Sequence, residues 1–296
     1  MKIIFLGTSS MVPTKERNHS GIFIKHKTEG ILVDCGEGTQ RQLKYSNIKP
    51  SKITRILISH WHGDHVLGLP GLFQTLNNSE YEGTLKLYGP SEVKEKIKLM
   101  METFSFNIEF NFEIIRLVPG EIINATNFRI FAHELKHSVE SYGFVLKEKN
   151  RRKIKLGYIK KLGIPEGPLL GKLQNNKKIK WQGKTISPKE ATYTIQGKKV
   201  GIITDTMLCN NCNKIAKDAD LLISEAVYLS ELEDKAKEYM HLTAKQAALV
   251  ASRNNVKKLI LTHFSQRYKS TEELCDEAKI YFPNTDCAYD LMKIEL

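Results

Sequence analysis

The sequence is short of cysteine, with five in 296 residues, an odd number that does not make a disulfide framework. It also lacks a leader-like start. The apolar stretch behind Met1-Lys2 runs only from Ile3 to Leu6, so it reads as a first strand, and the expected setting is a reducing cytoplasm. No run approaches the roughly 18 uncharged apolar residues of a spanning helix, so no membrane segment is expected. Internal repeats are absent. A second cysteine pair to accompany Cys209-x-x-Cys212 is absent too, which argues against a structural zinc site there. What is present is ordinary globular apolar content, 41%, on a chain long enough to bury a core without disulfide or metal staples.

The charge is unevenly placed. Forty-five Lys and Arg against 33 Asp and Glu leave +12, and residues Lys147–Lys189 hold 14 of the basic and only two of the acidic residues. One 43-residue segment therefore carries the whole net charge, and the remainder is balanced at 31 against 31. Such density suits a polyanion, most often nucleic acid, because each neutralised phosphate releases counterions. A solvated lysine-rich surface is the alternative. Gly, Pro and Asn scattered through the segment, with little apolar periodicity, indicate an arm or inserted loop rather than core.

Outside that segment, short β-branched runs bounded by turn residues predict strands at Ile3–Leu6, Gly21–Ile24, Ile31–Val33, Thr54–Ile58, Leu85–Tyr88, Phe112–Leu117, Phe128–Ala132, Tyr142–Leu146, Val200–Thr204 and Leu259–Thr262. Helices are predicted over Ser91–Met101, with Ser91 as N-cap, over Thr243–Ser252 and over Thr271–Phe282. Strands dominate the first half and alternate with helices in the last third, an α/β pattern.

Four ligand-type side chains fall within six residues in His60-Trp61-His62-Gly63-Asp64-His65, directly after a predicted strand. Burying such groups unpaired would cost roughly 2–7 kcal/mol each, so structure alone does not account for them. Adjacent Asp64 and His65 cannot share one face of a strand, which calls for a Gly63-containing turn. His137, Asp205 and His263 each follow the C-terminal end of a predicted strand, as His60 does, and strand ends along one sheet edge are where sites assemble. Five imidazoles and two carboxylates exceed what one zinc uses and match two metals sharing a bridging carboxylate. Ligation by N and O without sulfur fits Zn2+, with Mn2+ or Fe2+ as substitutes, and a pair of ions suits in-line displacement at phosphorus.

These residues resemble a known family. The His60-x-His62-x-Asp64-His65 element is similar to the metallo-β-lactamase signature, and its continuation through Gly68-Leu69-Pro70-Gly71-Leu72 resembles ribonuclease Z, the tRNA 3′-processing endoribonuclease. Pro13-Thr14-Lys15-Glu16-Arg17-Asn18 resembles that family's PxKxRN loop, Ser224-Glu225-Ala226 its His-Glu-Ala element with Ser in the first place, and His241-Leu242-Thr243 its His-x-Thr element. Gly163-Ile164-Pro165-Glu166-Gly167-Pro168 resembles the Gly/Pro-rich motif of its tRNA-gripping arm.

The resemblance implies one metallo-β-lactamase domain over residues 1–296, an αβ/βα sandwich of two mixed sheets flanked by helices, with a protruding basic arm inserted at 147–190. It implies two Zn2+ per subunit, one on His60, His62 and His137, the other on Asp64, His65 and His263, with Asp205 bridging. Asp64 would also orient or deprotonate the attacking water, His241 would stabilise the pentacoordinate phosphorane or protonate the leaving 3′ oxygen, and Glu225 would orient His241. Lys15, Arg17 and Asn18 would sense the tRNA 3′ end, and Gly163, Pro165, Gly167 and Pro168 would belong to the grip. The implied partners are precursor tRNA and a second subunit, in a homodimer whose one arm holds the tRNA cut by the other. No nucleotide cofactor is required. Two other classes share the ligands: a small-molecule hydrolase acting on a thioester or cyclic phosphodiester, which has no use for the basic segment, and a metal-stabilised nucleic-acid-binding module, which needs neither an open metal position nor His241.

Overall fold

β-Branched runs become strands, and short turns between them order two sheets. The computed structural model describes residues 1–79 and 81–296, which form two units. The larger comprises Met1–Ile123, Ile130–Leu146 and Lys199–Leu296, the smaller Asn124–Arg129 and Lys147–Lys198.

In the first sheet the strands run Lys293–Glu295, Lys2–Gly7, Gly21–His26, Glu29–Val33, Arg55–Leu57, Thr84–Gly89 and Asn111–Arg116. Pairing is antiparallel as far as Glu29–Val33 and parallel beyond it. The second sheet runs Thr285–Cys287, Leu259–Thr262, Leu221–Glu225, Lys199–Ile203, Ser141–Glu148, Phe128–Leu135 and Gly120–Asn124, the first four parallel. All ten predicted strands are present. Leu221–Glu225 was not among them, because it ends on Ser224 and Glu225, polar residues that are nonetheless buried in mid-sheet. This is where tertiary environment overrides strand propensity.

Helices Leu69–Asn77 and Val93–Thr103 pack Leu72, Phe73, Leu76 and Ile97 against Leu32, Ile56 and Leu87 of the first sheet. Ala244–Arg253 and Glu272–Tyr281 lay a mostly small-residue stripe, Ala247, Ala248, Ala251 and Ala278, against Leu222, Leu259 and Leu261 of the second. Thr243 caps the first of that pair in a reciprocal box: its Oγ1 accepts from the Gln246 N–H at 3.2 Å, and the Gln246 side chain accepts from the Thr243 N–H at 3.1 Å. Ser91 does not cap its helix. Glu92 occupies that position, and Ser91 donates its backbone N–H and hydroxyl to the Glu140 carboxylate instead.

The smaller unit corrects the expectation of a coreless loop. It has two antiparallel pairs, Arg151–Ile154 with Thr192–Ile195 and Ile179–Trp181 with Lys184–Ile186, and helices Leu156–Lys161 and Pro168–Gln174. Ile154, Ile159, Ile164, Leu173, Ile179, Ile186 and Ala191 form a buried cluster of its own. The apolar positions are spread over short elements that change period every few residues, so no single helical or strand repeat shows in sequence.

Candidate metal centre

The site lies where ends of both sheets of the larger unit meet. His60 leaves the first sheet just beyond Arg55–Leu57; His137, Asp205 and His263 leave the second beyond Phe128–Leu135, Lys199–Ile203 and Leu259–Thr262. The single sheet edge expected from sequence is thus two edges, since position after a strand does not say which sheet the strand joins. His62, Asp64 and His65 come from a one-turn helix, Gly63–Val66, with His62 at its N-cap, in place of the expected wrapping turn. On a helix, neighbours point about 100° apart, which lets Asp64 and His65 converge on one side.

Glycine makes room for that turn. A Cβ on Gly68 would stand 2.1 Å from the Gly36 carbonyl oxygen, and one on Gly36 would stand 2.4 Å from that of Asp64. The close approach is sealed by the Cys35 N–H donating to the His65 carbonyl and the Gly68 N–H to that of Cys35, at 2.8 and 2.9 Å.

Two groups of donors share one residue. His60, His62, His137 and Asp205 form the first, Asp64, His65, Asp205 and His263 the second, with the ligand atoms of each group within 4.8 Å of one another. Imidazole nitrogens confront each other: His60 Nε2 and His62 Nδ1 at 3.1 Å, His137 Nε2 and His62 Nδ1 at 3.2 Å, His65 Nε2 and His263 Nε2 at 3.2 Å. A tetrahedral ion with bonds of about 2.05 Å spaces its ligands about 3.3 Å apart. Buried Asp205 Oδ1 receives no hydrogen bond. The residues therefore fit divalent-cation coordination, with Asp205 common to both groups, and the chain has a divalent-metal site.

Their outer nitrogens are mostly held. His65 Nδ1 meets Asp34 Oδ2 at 2.8 Å, His60 Nδ1 meets the Ser59 hydroxyl at 2.9 Å, and His137 Nδ1 meets the Met240 carbonyl at 3.1 Å. Ser59 in turn donates its N–H and hydroxyl to the two oxygens of Asp34 at 2.7 and 2.9 Å. Such partners set ring orientation and tautomer in metal sites. Asp34 and Ser59 escaped the sequence reading, although Asp34 follows its strand, Glu29–Val33, just as the ligands follow theirs. Asp34 and His263 adopt left-handed backbone, φ 59° and 62°.

Charge is polarised across the pair. Burial, with His65 nearby, drives His60 well below the ordinary imidazole range. Burial opposes protonation of His65 as well, but the carboxylates of Asp205, Asp64 and Asp34 outweigh it and lift His65 well above that range. Asp205 and Asp64 are held low by the surrounding imidazoles against the opposing effect of burial. Beside them His241 Nδ1 lies 3.1 Å from Glu225 Oε1, and that carboxylate, followed by Asp205 and Asp64, overcomes burial to raise His241 to about 9. Glu225 is fixed by the Thr206 N–H at 2.7 Å.

The proposed tRNA contacts are placed less uniformly. Lys15 is exposed. Arg17 is buried, its guanidinium donating to the Tyr268 carbonyl at 2.7 Å and the Ser265 carbonyl at 3.4 Å, and the Asn18 amide donates to the Glu37 carbonyl at 2.7 Å. Both side chains are thus engaged in holding their own loop. In the smaller unit Gly163, Pro165, Gly167 and Pro168 are exposed around buried Ile164.

The chain is 39% identical to a ribonuclease Z of Methanothermobacter thermautotrophicus over 100% of its own length and 97% of that protein's, and 39% identical to one of Methanocaldococcus jannaschii over 92% and 88%. The chain belongs to the ribonuclease Z family. Human tRNase Z, short form, superposes on it with TM-score 0.73 at 28% identity, covering 100% of this chain and 99% of that one. The metallo-β-lactamase fold protein YhfI of Bacillus subtilis, at 19% identity and TM-score 0.73 over 100% and 98%, shares the fold. Residues 1–154 also match the family described as Anti-Pycsar protein Apyc1. Ribonuclease Z membership and the two mixed sheets agree with the resemblance read from the HxHxDH and GLPGL motifs. Among the described residues no helix is long and apolar enough to cross a membrane.

Proposed function

We propose that this chain removes the 3′ trailer from precursor tRNA, cutting after the discriminator nucleotide to leave a tRNA 3′-hydroxyl and a trailer 5′-phosphate, in the cytoplasm and as a homodimer. The observation that carries the reading is the pair of ligand groups sharing Asp205 in a chain that aligns with 97% of a ribonuclease Z. Two Zn2+ are the proposed occupants, His60, His62 and His137 holding one and Asp64, His65 and His263 the other. When bound, the ions supply Lewis acidity and a water nucleophile at neutral pH.

The protein's own groups do the rest. Asp64 Oδ2, 3.2 Å from His263 Nε2, faces the centre and orients the nucleophile or accepts its proton. His241 has its Nδ1 committed to Glu225, which leaves Nε2 to donate a proton to the leaving 3′ oxygen. Glu225 is a positioning residue that keeps His241 charged and aimed. Exposed Lys15 meets the acceptor end. The smaller unit, with exposed Gly163, Pro165, Gly167 and Pro168 and the net charge of the chain, grips the tRNA backbone.

Incubation with a 3′-extended tRNA precursor tests this directly. Cleavage after the discriminator should vanish with chelator, return with zinc, and be absent in a folded Asp64→Ala variant. Hydrolysis of a small phosphodiester with the precursor left intact would favour the small-molecule reading; binding without cleavage would favour the binding module.

A further inference from the structure

Two thiols remain beside the metal centre without a part in it. All five cysteines are free, and Cys209 and Cys212 place their sulfurs 3.7 Å apart. Cys209 is the N-cap of the helix Asn210–Ala216, half-buried, and lines an open cleft of about 640 Å³ shared with His137, Glu140 and Asn211. Cys212, one turn into the helix, is fully buried. One sulfur is therefore reachable from solvent and the other waits behind it. Against some burial, the contact with the Cys212 thiol, the N–H groups of Cys212 and Asn211 and the Thr206 hydroxyl bring Cys209 down to about 5.

We propose that Cys209 and Cys212 form a thiol-modification site for low-molecular-weight disulfides of the glutathione class, and that their oxidation loosens the loop carrying Asp205. The Cys209 thiolate attacks one sulfur of the disulfide, whose S–S bond breaks; a mixed disulfide forms on Cys209 and one thiolate leaves and takes a proton from solvent. Cys212 then gives up its proton and attacks Cys209 Sγ, expelling the second thiolate. The protein loses two hydrogens as a disulfide, and the small disulfide is reduced to two thiols. Closing 3.7 Å to the bond length of about 2.05 Å turns the Cys209 sulfur toward Cys212. Cys209 Sγ lies 3.9 Å from Thr206 Oγ1, and Thr206 both follows Asp205 and donates its N–H to Glu225 at 2.7 Å. Oxidation takes that sulfur away from Thr206, the residue joined to both the bridging carboxylate and the partner of His241. This coupling rests on the metal-centre reading, whereas the thiol chemistry does not.

The test incubates the full, zinc-loaded chain with oxidised glutathione, alkylates the remaining thiols, and weighs the tryptic peptide Val200–Lys214, which holds both cysteines. The expected peptide is unalkylated and two hydrogens lighter, and Cys212→Ser stops at a glutathione adduct on Cys209. Zinc competition should show affinity about tenfold weaker after oxidation, as for other lost outer-sphere contacts, restored by a dithiol. The Cys209→Ser/Cys212→Ser protein should show no change with oxidised glutathione. Both cysteines alkylated as in the reduced control would overturn the modification site. A disulfide with unchanged zinc affinity would overturn the coupling to Asp205. Failure of either protein form to bind zinc would sink the metal-centre reading while leaving the peptide mass to decide the thiol chemistry.

Discussion

Replacing Glu225 with Gln removes one buried charge and little else. The amide keeps the volume and can still accept the Thr206 N–H that now reaches Oε1 at 2.7 Å. What goes is the anion 3.1 Å from His241 Nδ1, the first of the carboxylates lifting that imidazole from 6.5 to about 9. At 1.36 kcal/mol per pH unit the whole displacement is roughly 3 kcal/mol. Opposite charges about 4 Å apart at an effective dielectric near 20 interact by about 4 kcal/mol, so Glu225 by itself can supply most of it. Asp205 and Asp64 remain, and bound cations oppose them, so the expected fall in Glu225→Gln is about one to two pH units. The sign follows from the acid role: His241 works protonated, its proton is lost as pH rises through its own pKa, and a lowered pKa moves that loss to lower pH. Near pH 6 variant and parent should turn over alike; near pH 8 the variant should be slower by about two- to tenfold. The assay is kcat on a tRNA precursor from pH 6 to 10 at saturating zinc, with zinc content measured in both proteins. In a His241→Ala background the alkaline limb should be absent and Glu225→Gln should change little further. Superimposable pH profiles with full zinc occupancy would refute the assignment of His241 as the acid.

Zinc uptake should release protons, because His65 is held protonated by Asp34, Asp64 and Asp205 until a metal claims its Nε2; affinity should weaken as pH falls, and the calorimetric heat should depend on the buffer's ionisation enthalpy. Arg17→Ala should destabilise the chain by about 1–3 kcal/mol in denaturant melts, by leaving the Tyr268 and Ser265 carbonyls without their donor, whereas Lys15→Ala should leave stability unchanged and alter the cleavage ratio between precursors with and without CCA. Leu173→Ala empties a fully buried position of the smaller unit's core; a loss of about 2–5 kcal/mol there should appear as faster hydrogen exchange over Leu156–Gln174 and faster trypsin cleavage at Lys172 and Lys177, with zinc content unchanged.

Much of the candidate site was legible because its potential donors are local in sequence or marked by position: four sit within six residues, and His137, Asp205 and His263 each stand just past a β-branched run. The same patterns announced the strands, since a period of two and an abrupt turn are properties of the chain alone. Tertiary structure decided what no window of residues contains. Which sheet each strand joins determined that the ligands converge from two edges, not one. Burial of Ser224 and Glu225 inside a strand depended on neighbours at Lys199–Ile203 and Leu259–Thr262, distant in sequence. Asp34 became the partner of His65 only through a contact spanning 31 residues. Arg17 reads as a free cation until the chain folds its guanidinium onto carbonyls some 250 residues away. In the Lys147–Lys198 region the charge was evident from composition, but its core was not, because seven apolar side chains spread over short elements meet only when those elements pack. Local chemistry is written residue by residue; convergence is a matter of which distant segments exclude water together.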